Sequence, residues 1–103
     1  MDTINIEKLK QFKEKLNRNL GVEKLVLFGS RASHNFNKYS DFDFIVVSDA
    51  YKNINTLNRP GKTYDYWNLD FPVDFLCFTH DEIEKKKNMP GIIKNALETG
   101  IEI

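Results

Sequence analysis

Three short runs rich in β-branched and aromatic residues govern what this chain can fold into: VEKLVLF at 22–28, DFDFIVV at 41–47 and PVDFLCF at 72–78. Each has the length and composition of a strand. Gly29 stops the first, and Thr79 follows the third as the start of a capping signal. In the second run the period of two puts Phe42, Phe44 and Val46 on one face. Asp41, Asp43, Ile45 and Val47 then share the other, so two carboxylates open an otherwise apolar strand on one side.

The segments around these runs read as helices and turns. Ile6, Leu9, Phe12, Leu16 and Leu20 recur at helical spacing and predict an amphipathic helix over 5–20, with Asn5 as its cap and Gly21 just past its end. Residues 30–36 suit a short helix, and NKYS a connector. The polar, Asn-rich stretch 48–59 has no clear pattern. Pro60-Gly61 marks a break or a helix start, and Tyr64, Trp67 and Phe71 stand at the spacing of a short helix. Thr79 and Glu82 form a capping box that starts a helix through about Lys87. Pro90 opens a last helix with Ile92, Ile93, Ala96 and Leu97. Gly100 closes it, and residues 101–103 form a short strand or packed tail. No repeat, low-complexity tract or linker breaks the chain, which predicts one domain over 1–103. The fold class is α/β (α+β): a small mixed sheet of three to four strands, with helices mainly on one face.

Composition narrows the setting. Lys plus Arg and Asp plus Glu number 15 each, so bulk charge argues for no nucleic-acid or membrane binding. No apolar run reaches the roughly 18 residues of a membrane helix. The N-terminus lacks the basic-then-apolar order of a signal peptide. Cys77 is the one cysteine, which excludes an internal disulfide. A strand position makes it a small buried hydrophobe rather than a reactive thiol. These features predict a cytoplasmic protein.

Two carboxylates on one strand face repel unless a shared proton, an arginine or a divalent cation balances them. Asp74 is the single charge of the third run, and if the second and third strands are neighbours all three acids converge. Clustered carboxylate oxygens suit Mg²⁺ or Mn²⁺. Gly29-Ser30 stands before these acids, with ten residues between Ser30 and Asp41. Gly29 lets backbone approach a ligand closely, Ser30 offers a hydroxyl and an N–H, and Arg31 adds a cation. Taken singly, Gly-Ser is a turn and Asp-x-Asp a pair of turn residues. Their combination, with an acid inside a later strand, has the composition of a nucleotide-handling site.

GS, ten residues (RASHNFNKYS) and then DFD resemble the G-S-x10-D-x-D signature of the polymerase-β-like nucleotidyltransferases. The short chain is similar to the minimal nucleotidyltransferases of that superfamily, and PVDFLCFTHDE resembles their third-acid strand. The resemblance implies that Asp41, Asp43 and Asp74 are catalytic and hold two Mg²⁺ ions, with Mn²⁺ as a substitute. It implies that Gly29 and Ser30 cradle the phosphates of ATP, with Arg31 beside them. It further implies transfer of AMP to a hydroxyl. Minimal members include antitoxins that modify a tyrosine of a HEPN-domain ribonuclease toxin, and a chain this small has little room for its own acceptor pocket. A HEPN toxin is therefore the expected partner. Two alternatives stay open: an antitoxin that blocks its partner by binding alone, and transfer to a small-molecule hydroxyl such as an aminoglycoside. Self-association is also open.

Other candidates carry weaker signals. Lys38, Arg59 and Lys62 could balance triphosphate charge or lie on a solvated surface. Tyr64, Tyr66 and Trp67 could stack on a base, although core packing suits Tyr64 and Trp67 better. His34 and His80 lack metal-ligand spacing, and residues 84–87 read as a solvated helix end.

Overall fold

The three apolar runs are strands in the computed structural model, which describes residues 3–33 and 41–103. They are β1 (Val22–Phe28), β2 (Phe42–Ser48) and β3 (Val73–Phe78), and Ile101–Glu102 adds a fourth, β4. The sheet order is β3-β2-β1-β4. The β1–β2 and β1–β4 pairs are antiparallel, while β2 and β3 run parallel.

Helix α1 (Thr3–Leu20) lays its apolar stripe on one sheet face. Leu9, Phe12 and Leu16 are buried there with Leu25, Leu27, Phe42, Phe44 and Phe75. Because the helix starts at Thr3, Asn5 stands inside it and not at its cap. Gly21 ends it at φ 68°, with its N–H donating to the Asn17 carbonyl at 3.0 Å. Aromatic rings fill this face. Trp67 meets Phe12 edge-on at 5.0 Å and lies 5.7 Å from Phe42. Burying each such side chain stabilises the fold by about 1.5–3 kcal/mol.

Helices α3 (His80–Lys86) and α4 (Ile92–Thr99) cover the opposite face. Ile83 and Ala96 pack there against Val26, Ile45 and Val47. The fold class is the expected mixed α+β arrangement, but the helices occupy both faces and not mainly one. The reason lies in β2, an inner strand whose residues from Phe44 to Ser48 are all buried. Both of its faces need cover.

The polar stretch 48–59 is two 3-10 turns, Asp49–Asn53 and Thr56–Asn58. The Ser48 and Asn55 side chains accept from the N–H groups of Ala50 and Leu57 to cap them. A short helix, α2 (Arg59–Tyr64), follows with Pro60 in its first turn. Tyr64 is therefore the end of one helix, while Trp67 and Phe71 lie in the chain after it. The aromatic spacing reflects a shared core and not a shared helix. The capping box is as expected: Glu82 N–H donates to Thr79 Oγ1 at 3.3 Å, and Thr79 N–H donates to Glu82 Oε1 at 2.8 Å.

Candidate active site

The sheet topology brings the sequence candidates to one end. β1 finishes there while β2 and β3 begin. The Phe42 N–H donates to the Pro72 carbonyl at 2.9 Å and pins the two strand starts together. In the register, Asp43 stands opposite Phe28 on one side and opposite Asp74 on the other. Directly paired residues project to the same face, so Asp43 and Asp74 are neighbours across a strand spacing of roughly 4.8 Å. Asp41 precedes β2 by one residue.

The electrostatics agree with this placement. Burial pushes the Asp43 carboxyl above the usual aspartate range, and the charges of Asp74 and then Asp41 push it further. Among the described residues, no lysine, arginine or histidine forms an ion pair with any of these three acids. Among the described residues, the site is thus a concentration of negative charge without an ion-paired counter-charge.

Gly29 closes the other side. Its φ of 76° is one that residues with a Cβ avoid. A Cβ built there would lie 2.5 Å from Asp43 Oδ2 and 3.4 Å from Asp43 Cγ. The absent side chain therefore leaves room for the carboxylate to lie beside backbone. The following residues form a four-residue 3-10 turn, Gly29–Ala32. The Ser30 carbonyl accepts from the Ser33 N–H at 3.2 Å and from the Ser33 hydroxyl at 3.0 Å, while Ser30 itself is exposed. Residues 34–36 of the expected helix, with His34 and Lys38, lie outside the described residues.

Other cations are placed differently from their functional readings. Arg31 is buried, with its guanidinium 4.5 Å from the Phe42 ring centre and 5.0 Å from that of Phe71. Phe42 belongs to the α1 face, so these ring contacts lie on the sheet face opposite to Asp43. Arg59 is also buried. It donates to Glu82 Oε1 at 2.6 Å and to the Ile54 carbonyl at 3.0 Å, a structural role that ties α2 to α3. Lys62 is exposed. Tyr64 is 48% exposed, and its hydroxyl donates to the Val73 carbonyl at 2.9 Å. Cys77 is a half-buried strand residue whose thiol is pushed up by burial, as suits an inert position.

A cavity of about 410 Å³ opens beside the acids. Phe28, Gly29 and Asp43 line it from the sheet; Ile92, Asn95 and Thr99 line it from α4. Sequence reasoning used the apolar side of this helix to place it in the core and overlooked its polar side. Asn95 and Thr99, four residues apart on one face, were the available signal.

The donor set suits a hard divalent cation: carboxylate oxygens, close in space and without an ion-pair partner among the described residues. Among the described residues, no three Asp, Glu, His or Cys side chains are gathered tightly enough to enclose an ion. Asp74 and Asp41 are near enough to raise the proton affinity of Asp43, without the three acids forming a closed cage. An open arrangement of this kind is what a metal shared with a substrate's phosphates calls for.

The profile of the nucleotidyltransferase domain family matches residues 9–103. The chain belongs to this family. Among solved structures, the nucleotidyltransferase domain is similar to a candidate nucleotidyltransferase from Sulfolobus solfataricus at 22% identity and a TM-score of 0.61. That likeness covers 77% of this chain and 70% of the other, and it shows the fold. A second candidate nucleotidyltransferase shares 25% identity, with 81% and 87% of the two chains covered and a TM-score of 0.48. No match is found among curated proteins.

Proposed function

We propose that this nucleotidyltransferase domain transfers AMP from ATP to a hydroxyl, a tyrosine in particular, of a partner protein. The partner is a HEPN-domain ribonuclease toxin, which makes the domain an antitoxin. The observation that carries the transfer chemistry is the position of Asp43, set between Asp74 on β3 and the side-chain-free Gly29 just past the end of β1.

Each residue has a part in this reading. Gly29 and Ser30 bind the outer phosphates through backbone N–H groups and the Ser30 hydroxyl. Asp41, Asp43 and Asp74 would hold two Mg²⁺ ions, which supply charge stabilisation at the entering and leaving oxygens. The Asp74 carboxylate takes the proton of the attacking hydroxyl. A bond forms between that oxygen and the α-phosphorus, the bond from the α-phosphorus to the bridging oxygen breaks, and pyrophosphate leaves. The chain contributes chiefly by holding these groups in position, a contribution worth several powers of ten in rate.

A macromolecular acceptor is supported by the surface around the acids. Leu76, two residues beyond Asp74 on the same strand face, is 37% exposed. Ile92, 68% exposed, lines the cavity, and it shares a neighbouring groove with Met89, 58% exposed. Exposed large apolar side chains clustered near a charged site mark a surface suited to a protein contact.

The test is incubation of the domain with ATP, Mg²⁺ and a HEPN-domain protein from the same organism, followed by intact-mass measurement of that protein. A mass gain of one AMP, lost with Asp43→Asn, supports the reading. Neutralisation of an unmodified partner would instead show inhibition by binding. Transfer only to a small hydroxyl compound would move the acceptor to that class.

A further inference from the structure

β3 is an edge strand: β2 lies on one side of it and, among the described residues, no strand lies on the other. The direction of its backbone groups follows from its contacts. The Pro72 carbonyl accepts from the Phe42 N–H, so residues 72, 74, 76 and 78 turn their N–H and C=O groups towards β2. Residues 73, 75 and 77 turn theirs outward. Accordingly, the Tyr64 hydroxyl donates to the Val73 carbonyl at 2.9 Å, and Arg59 Nη1 donates to the Cys77 carbonyl at 3.4 Å. Phe75 lies between these contacts and has no counterpart to them. Among the described residues, nothing donates to its carbonyl and nothing accepts from its N–H. Yet Phe75 is only 5% exposed. A nearly buried backbone N–H and C=O call for partners.

This edge lies in a groove of about 310 Å³. Thr56 and Pro60 stand on one wall, with Arg59 of α2; Glu82 and Lys86 of α3 stand on the other. Leu76 and Phe78 give the floor an apolar surface. Arg59 is paired with Glu82 at 2.6 Å. Lys86 is therefore the lining charge without an ion pair among the described residues, and its Nζ stands 5.9 Å from the Phe78 ring centre. The groove thus combines unpaired strand backbone, apolar floor and one positive charge in excess.

We infer that the outer edge of β3 docks an extended, acidic segment of a partner protein, which adds a strand beside Phe75 and sets a carboxylate against Lys86. Outward N–H and C=O groups on an edge strand are completed by an extended chain. The excess charge of the lining matches an acidic side chain on that chain. A second copy of the domain fits less well. Its β3 carries the same α2 and α3 walls, and wall would meet wall before the strands reached their pairing distance of about 4.8 Å. A segment without flanking helices passes between the walls. The inference stands apart from the transfer chemistry, because none of these contacts involves Asp41, Asp43 or Asp74, so the two can fail separately.

The probe is a capped heptapeptide of valine and threonine with one central aspartate, and NMR titration with amide hydrogen exchange reads its binding. In the dilute free domain the Phe75 N–H should exchange faster than that of Leu76, which faces β2. The peptide should slow the exchange of Phe75. Methylating the peptide's backbone nitrogen at either of two successive residues should give unequal results. The methyl that faces β3 should weaken binding about two- to tenfold, and the one that faces solvent should leave it unchanged. Lys86→Glu should weaken the aspartate peptide and strengthen one with lysine in its place, each by about two- to fivefold. A Phe75 N–H that the peptide does not protect overturns the inference, as do two methylated peptides of equal affinity. Binding indifferent to Lys86→Glu overturns the match to an acidic segment. Protection of Phe75 that grows with domain concentration, without peptide, overturns it in favour of a second copy.

Discussion

Gly29 and Gly21 make a matched pair for testing how closely the backbone must approach Asp43. Both sit at positive φ, 76° and 68°. A Cβ on Gly21 would meet nothing within 4 Å, whereas a Cβ on Gly29 would lie 2.5 Å from Asp43 Oδ2. Gly21→Ala should therefore show the backbone penalty alone, about 1–2 kcal/mol. Gly29→Ala carries that penalty plus the displacement of a carboxylate. Turning a short side chain off its preferred rotamer costs about 0.5–1.5 kcal/mol. The sum is roughly 1.5–3.5 kcal/mol, with a thermal midpoint shift of about 4–8 °C for each kcal/mol. Removing the carboxylate leaves only Asp43 Cβ, at 3.5 Å, an ordinary contact. In an Asp43→Ala background, Gly29→Ala should then cost no more than Gly21→Ala. Thermal or urea unfolding of the four-protein cycle gives the coupling. Activity should separate the glycines more sharply, because a displacement near 1 Å costs about 100-fold in rate. Gly21→Ala should retain transfer and Gly29→Ala lose it. Equal stability and equal activity for the two alanine variants, or a Gly29→Ala penalty unchanged by Asp43→Ala, would refute the reasoning.

Three further outcomes test the surrounding structure. Thr79→Ala removes the reciprocal cap of α3 and should cost about 1 kcal/mol in unfolding experiments, while Thr79→Ser should recover most of it. Glu82→Gln leaves Arg59 buried without its counter-charge and should destabilise by about 1–3 kcal/mol. The Arg59 hydrogen bond holds the Glu82 carboxyl below the usual glutamate range. Its contribution to stability is thus present above the ordinary glutamate range and lost as pH falls through the folded value, a loss that Glu82→Gln should lack in acid unfolding curves. His80 moves the other way: the Glu23 carboxylate, 2.8 Å from Nδ1, raises its proton affinity. Its contribution is present below the ordinary histidine value and disappears as pH rises through the folded value, and an NMR titration of His80 should shift downward in Glu23→Gln.

Much of the fold was legible because β-branched and aromatic runs of strand length have few other uses. β1 matches its expected span, β2 is shifted by one residue at both ends, and β3 starts one residue later than expected. Thr79 and Glu82 were readable because a capping box is local chemistry. The aromatic cluster was not, because Tyr64 and Trp67 meet Phe75 and Phe71 meets Phe42 through tertiary packing, which sequence spacing does not record. Residues 48–59 hid two 3-10 turns for a similar reason. Their order comes from Ser48 and Asn55 side chains capping backbone and from Tyr51, whose ring is fully buried.

The candidate site was legible in its acids and its glycine, since one strand face and one parallel register suffice to align Asp43 with Asp74. The surroundings of its cations were not: Arg31 stacks against Phe42 and Phe71, and Arg59 pairs with Glu82, contacts that sequence spacing does not record. Only the fold shows which face of the sheet an arginine next to Ser30 reaches. The polar side of α4 was hidden for the opposite reason, since Asn95 and Thr99 look like any solvated helix face until α4 is laid beside Gly29.

The central claim is that this end of the sheet performs nucleotidyl transfer, with the α-phosphate passing to the acceptor. It is tested most directly by parallel incubations with ATP labelled at the α- or the γ-phosphate, with Mg²⁺ and the partner protein, in the unaltered domain and in Asp43→Asn. Label from the α position should enter the acceptor, label from the γ position should appear in pyrophosphate, and Asp43→Asn should abolish both. Incorporation of the γ label, or undiminished transfer by Asp43→Asn, would contradict the account.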